Sequence, residues 1–227
     1  KLNNLPEGLD DCSLEILRVR NNDLNNAYWL AELWSLKTLD VSGNEKLRLE
    51  EVGHALLFKD LDEVVVSPGS QNELHKVFGK LNIDRLKVIG GSTGQIAKSI
   101  PSNKNIRNIA FEGVAIDNPT KFYDWFNDFE SLESIDFVNM ELPQGLSSLR
   151  TTKRVTLDLC SLDQPADLNN FSESVKVIAV NMQSASSMTG SAPNVSTMGP
   201  GSVSQTMINN KVPEIVAPET FKKTISP

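Results

Sequence analysis

The chain has 227 residues, 22 of them basic and 29 acidic, for a net charge of −7. That length fits one domain, or one domain with a tail, and the acidic balance argues against a nucleic-acid binder, whose footprint is basic. No apolar run approaches ~18 residues, so no membrane-spanning helix is expected; two cysteines exclude a disulfide scaffold and two histidines a His-rich metal site.

The chain opens on Lys1-Leu-Asn-Asn-Leu-Pro6 with no apolar core of the kind a signal peptide needs. It also lacks an initiator Met, so a processed or excised chain is expected, and an upstream targeting segment stays open. Residues 2–6 read either as the trailing half of a repeat or as an ordinary N-terminal cap.

From Leu14 a pattern recurs. Leu14-Glu-Ile-Leu17-Arg-Val19-Arg-Asn-Asn22-Asp-Leu24 fits L-x-x-L-x-L-x-x-N-x-L throughout, and Leu36-Lys-Thr-Leu39-Asp-Val41-Ser-Gly-Asn44 follows it. Weaker copies begin at Leu61, Ile83, Ile106, Leu132, Thr152 and Val175, about 20–26 residues apart. The second apolar position reads Leu17, Leu39, Val64, Leu86, Ile109, Ile135, Val155 and Ile178; the third reads Val19, Val41, Val66, Val88, Phe111, Phe137, Leu157 and Val180. Alternation at L-x-L predicts a short parallel strand with both positions turned inward. A unit this small buries its apolar stripe only by stacking on its neighbours.

Between the strands, Trp29, Leu30, Leu33 and Trp34 form one apolar cluster, and Phe122, Trp125, Phe126 and Phe129 follow i, i+3, i+4, i+7 spacing. Both predict helix faces turned to the core, with an aromatic ligand site as the alternative. Gly90-Gly91-Ser92-Thr93-Gly94 matches the G-x-S-x-G nucleophile elbow, but His54 and His75 both precede Ser92, against the Ser–acid–His order of that fold. The glycines are read as a turn leaving a strand. There is no C-x-x-C, no H-E-x-x-H and no P-loop ending. Cys12 and Cys160 are expected to be buried and reduced; six strand spacings put their units roughly 29 Å apart, too far to pair. After about Asn181 the composition shifts: residues 181–210 carry no charge, no leucine follows, and four of the five methionines lie here. This predicts either a loose tail or a cap laid over the last unit, anchored by Val203, Met207, Ile208, Val212, Ile215, Val216 and Phe221.

Over about residues 1–183 the chain resembles the leucine-rich repeat family. Its first two repeats are close matches, while the Asn position drifts from Asn22 and Asn44 to Gly69, Gly91, Val114, Met140, Cys160 and Gln183. The resemblance implies an α/β fold: a leucine-rich repeat solenoid over 1–183, with a curved parallel sheet on the concave side and helices and loops on the convex side. A Ser/Thr/Met/Pro-rich tail or cap over 184–227 follows. It implies no cofactor, no metal and no catalysis, and a scaffold that binds another protein through the concave face. The alternative is a structural or adhesion module of a larger secreted or cell-surface bacterial protein; a third reading is a serine hydrolase using Ser92. The cysteine-clustered caps usual in secreted eukaryotic members are missing, which favours a cytosolic or bacterial setting.

The outward residues of the strands supply the candidate site. Arg18 with Arg20, and Arg85 with Lys87, are expected to make the first half of the face basic. Glu112, Asp136 and Asp158 are expected to make the later half acidic around exposed Val138, with Arg154 as a partial neutraliser. A partner with a basic segment suits the acidic half. In the last copy, Val177 and Ala179 are expected to face outward.

Overall fold

The computed structural model describes residues 1–6, 8–9, 13–68, 74, 76–96, 100, 103–150, 152–183 and the backbone of 205–208. The protein is α/β, built on a nine-stranded sheet. Its strands are β1 (Ile16–Arg18), β2 (Thr38–Asp40), β3 (Asp60–Val66), β4 (Asn82–Ile89), β5 (Asn108–Glu112), β6 (Ser134–Val138), β8 (Arg154–Asp158), β10 (Lys176–Val180) and β11 (Gln205–Ile208), in that order across the sheet. The first eight are mutually parallel and each lies beside its predecessor; β11 joins β10 antiparallel. The short strands β7 (Glu141–Leu142) and β9 (Ser161–Leu162) form a second parallel ladder.

The register follows the apolar triplets. Leu17, Leu39, Val64, Leu86, Ile109, Ile135 and Val155 are aligned partners in one line, all buried. Val66, Val88, Phe111, Phe137 and Leu157 form the next inward line.

The last unit departs from the expected phase. Val155 pairs with Val177 and Leu157 with Ala179, so Val177 and Ala179 are the buried pair, and Ile178 and Val180 face outward. Val-Lys-Val-Ile-Ala-Val over 175–180 is apolar in both phases, so alternation alone does not decide between them. What decides is the spacing before the strand. Val175 is buried two residues ahead of Val177, where in the other copies the first apolar position lies three residues ahead of the second.

A left-handed corner marks the end of nearly every unit. Asn21, Gly43, Gly90, Gly113, Asn139, Leu159 and Asn181 all have positive φ, and each lies two residues beyond the inward third position. Asn and Gly tolerate this conformation; Leu does so under strain. The third unit has Pro68 at the equivalent place, where a positive φ is closed to it.

Three α-helices pack on the inward face: α1 (Trp29–Glu32), α2 (Leu49–Leu56) and α3 (Pro119–Asn127). Their buried residues share one apolar cluster with the inward lines of the sheet. In α3, Asn118 caps the Lys121 N–H at 3.0 Å and Pro119 occupies the first turn. Phe122 and Phe126 reach Phe111 at 5.4 and 5.8 Å in edge-to-face contacts, and Phe126 meets Phe137 at 6.0 Å. The expected aromatic face is therefore core. The α1 cluster differs: Leu30 and Leu33 are buried but Trp34 is 78% exposed, its ring 5.0 Å from the Lys59 ammonium. That ammonium donates to the Ala31 and Leu33 carbonyls at the end of α1, and burial pushes its pKa down.

Asn44 ties two units together. Its amide donates to Val19 O and Val41 O, both at 2.9 Å, while its oxygen accepts the Leu24 N–H at 3.2 Å. Cys160, five units on, repeats this with sulfur, its thiol facing Phe137 O at 3.3 Å and Asp158 O at 3.4 Å. It is free and buried, and burial raises its pKa; Cys12 lies outside the described residues. At the start of the chain, Asn22 accepts the Leu2 N–H and Asp23 donates to Leu2 O, so residues 1–6 run alongside the first unit. Of the expected cap anchors, Met207 and Ile208 fall in β11; the others lie outside the described residues.

Candidate functional site

The face of the sheet opposite the helices carries three rows of side chains. Parallel sheets are normally covered on both faces. Here the strand burial alternates, with the outward residues of β1, β2, β4, β8 and β10 half-buried or exposed. Val65, Ala110 and Ser134 are the buried exceptions.

The charges on this face are joined across strands rather than divided into halves. Arg85 on β4 pairs Glu63 on β3 at 3.2 Å through Nε and Asp136 on β6 at 2.8 Å through Nη2. It thus spans β5, where Ala110, aligned with Asp136, leaves a short side chain in its path. Lys87 pairs Glu112 at 2.7 Å. The residues singled out as a basic first half and an acidic later half are therefore in part each other's partners. Such pairs, with side chains 15–33% exposed, contribute ~1 kcal/mol or less apiece to stability; their larger effect is to fix the geometry of the face.

The remaining site residues stand apart. Arg18 and Arg20 are exposed at the β1 edge and make no ion pair among the described residues. Arg154, expected to neutralise the acidic patch, is exposed and also without an ion pair there; Arg85 takes that role for Asp136. Asp158 accepts the Asn181 amide at 3.2 Å. Val138 is half-buried beside it, since Val138, Asp158 and Val180 are aligned on β6, β8 and β10. The corrected register of β10 adds two residues that alternation misses, Ile178 and Val180. Val138, Ile178 and Val180 together flank Asp158 with an apolar margin, and Leu159, 43% exposed, sits at the adjoining corner. The signal that would have found them is Asn181, which matches the corner position of the other units only in this register.

No protein-family model matches the chain, and no curated protein does so at a significant level.

Ser92 lies elsewhere. It opens a short 3₁₀ turn, Thr93–Gln95, as one half of a capping box with Gln95, whose side chain accepts the Ser92 N–H at 2.8 Å. Its hydroxyl also bonds the Asp117 carboxylate, which accepts the Gly94 N–H at 2.7 Å; these bonds hold the Asp117 pKa below its usual range. His54 is on α2 and His75 lies outside the described residues, so no imidazole is seen against Ser92 among the described residues. Gly90 and Gly91 take positive φ, as a turn requires. No group of His, Cys, Asp and Glu among the described residues is arranged to hold a metal ion, and no helix among them is long and apolar enough to cross a membrane.

Proposed function

We propose that the chain is an irregular leucine-rich repeat solenoid whose open, concave sheet face binds another protein. The observation that carries this reading is the outward face of eight parallel strands, which no helix among the described residues covers, while the other sheet face is packed into the apolar core. The side-by-side strand order, the recurrent left-handed corner and the Asn44 and Cys160 bonds to the preceding unit support the repeat assignment. Within the face, the end formed by β6, β8 and β10 suits a partner segment that brings one basic group to Asp158 and apolar contacts to Val138, Ile178 and Val180. Apolar anchors supply most of the affinity of such a contact, and the charge supplies steering. Glu112 and Asp136 are held by Lys87 and Arg85, so a basic partner meets Asp158 first.

Site-specific photo-cross-linking tests this. A photoreactive side chain at Val138 or Thr156 should capture a partner that the same group at Phe58, 94% exposed on another part of the surface, does not. Capture from Phe58 with none from either sheet position refutes the assignment of the face.

A further inference from the structure

The sheet ends at β1 in an edge that no strand among the described residues covers. The bonds to β2 show which backbone groups this edge presents. Val19 and Asn21 donate to Asp40 O and Ser42 O, and Glu15 O accepts the Lys37 and Thr38 N–H groups. The odd-numbered residues thus face β2, and by strand alternation the N–H and C=O groups of Ile16 and Arg18 point away from the sheet. Such a row is a template for another strand.

The side chains beside this row define its chemistry. Arg18 and Arg20 are exposed on the outward face, and neither makes an ion pair among the described residues. Asp40, aligned with Arg18 on β2, instead accepts the Ser42 N–H at 3.0 Å and the Ser42 hydroxyl at 2.6 Å. Glu15 has the phase of Leu17 rather than of the arginines. Ile16 completes the row, 50% exposed. On the inward face Leu17 keeps 8% of its surface, where Leu39, Val64 and Leu86, aligned with it on the next three strands, keep none. A chain of net charge −7 thus ends its sheet in a basic edge. A second copy does not fit there, because pairing β1 with β1 gathers the arginines of both copies on one face. An acidic segment does fit.

We infer that the β1 edge takes up an extended acidic segment of a partner protein as an added strand. The segment's backbone bonds the outward N–H and C=O groups of Ile16 and Arg18. Its acidic side chains, alternating along it, lie beside Arg18 and Arg20, and the apolar residues between them close over Leu17 and Val19. Charge selects the partner and main-chain bonds hold it. In the sheet β1 and β8 are six strand spacings apart, roughly 29 Å. This contact is therefore separate from the one around Asp158, and neither stands on the other.

The probe is the peptide Glu-Val-Glu-Val-Glu, blocked at both ends, whose pattern reads the same in either strand direction. The readout is amide hydrogen exchange, residue by residue, by NMR. A dissociation constant of about 1 mM is expected for a segment this short. At ten times that concentration roughly one molecule in eleven is free, so exchange at Ile16 and Arg18 should slow about tenfold. Leu17, already bonded to β2, should not change. Lys-Val-Lys-Val-Lys should slow neither amide, and neither should the acidic peptide with every backbone nitrogen methylated. Replacing both arginines, Arg18→Gln with Arg20→Gln, should weaken the acidic peptide about tenfold at low salt. Unchanged exchange at Ile16 and Arg18 in tens of millimolar acidic peptide overturns the inference and leaves an edge that its arginines only guard. Equal slowing by the lysine peptide or by the methylated one overturns it too, because charge or strand pairing is then dispensable. The three peptides are compared on the unsubstituted protein, so the test stands even if the double variant does not fold.

Discussion

Exchanging one residue for the next along β10 tests the register most sharply. Val177 is fully buried opposite Val155, whereas Ile178 faces outward opposite Thr156. Val177→Asp forfeits the ~1.5–3 kcal/mol gained by burying a valine and sets an unpaired carboxyl in apolar surroundings. Together these should cost roughly 3–5 kcal/mol. Because β10 belongs to the last parallel unit, the loss is capped at whatever that unit contributes before it frays separately. Ile178→Asp removes only part of a half-buried side chain and leaves the carboxylate in water, so it should cost about 1 kcal/mol or less. With a urea slope of ~3 kcal/mol per molar, Val177→Asp should lower the unfolding midpoint by about 1–1.7 M and Ile178→Asp by a few tenths. Equal shifts, or the larger shift at Ile178, would refute the register and return Ile178 and Val180 to the core.

Three further outcomes follow from bonds and backbone angles described above. Asn44→Ala strands the Val41 carbonyl and the Leu24 N–H in a buried setting and leaves the Val19 carbonyl to the Asn22 amide alone, and should cost about 2–3 kcal/mol in denaturant unfolding. Leu159→Asn relieves a positive φ that leucine holds under strain and should gain about 0.5–1 kcal/mol; a loss of stability would show instead that the leucine side chain is anchored. The Cys160 thiol has a raised pKa in the folded state, so its contribution is complete below the ordinary value of 9.0 and is lost as the pH climbs above it. Between pH 8 and 11 the unsubstituted protein should therefore lose stability relative to Cys160→Ala, and thiol reagents should label native Cys160 slowly.

The strands were legible because each depends on a local property, alternation within a triplet that recurs with the repeat. Leu17 to Val155 needed nothing more. The last unit was not legible in the same way, because Val175 to Val180 satisfies both phases and the residue missing ahead of the strand is visible only through its neighbours. The arrangement of charges was hidden for a different reason. Whether Arg85 reaches Asp136 depends on two cross-strand registers, on the length of an arginine and on a small residue at Ala110, none of which belongs to one segment. Trp34 looked like a core aromatic by spacing, but α1 ends at Glu32, one residue before Leu33, and the chain carries the indole outward.

The reversed direction of β11 has a consequence for self-association. A stack of parallel strands ends in two edges of opposite kind, one at β1 and one at β10, each matching the other as it matches its own neighbour. Two copies meeting end to end would generate a head-to-tail contact, and repetition of such a contact grows into a filament unless its rotation closes a ring. With Gln205–Ile208 laid antiparallel along Val177–Val180, the β10 edge no longer offers the slanted hydrogen-bond pattern that a β1 edge would need. Four residues of backbone thus remove one of the two edges through which such stacking would proceed.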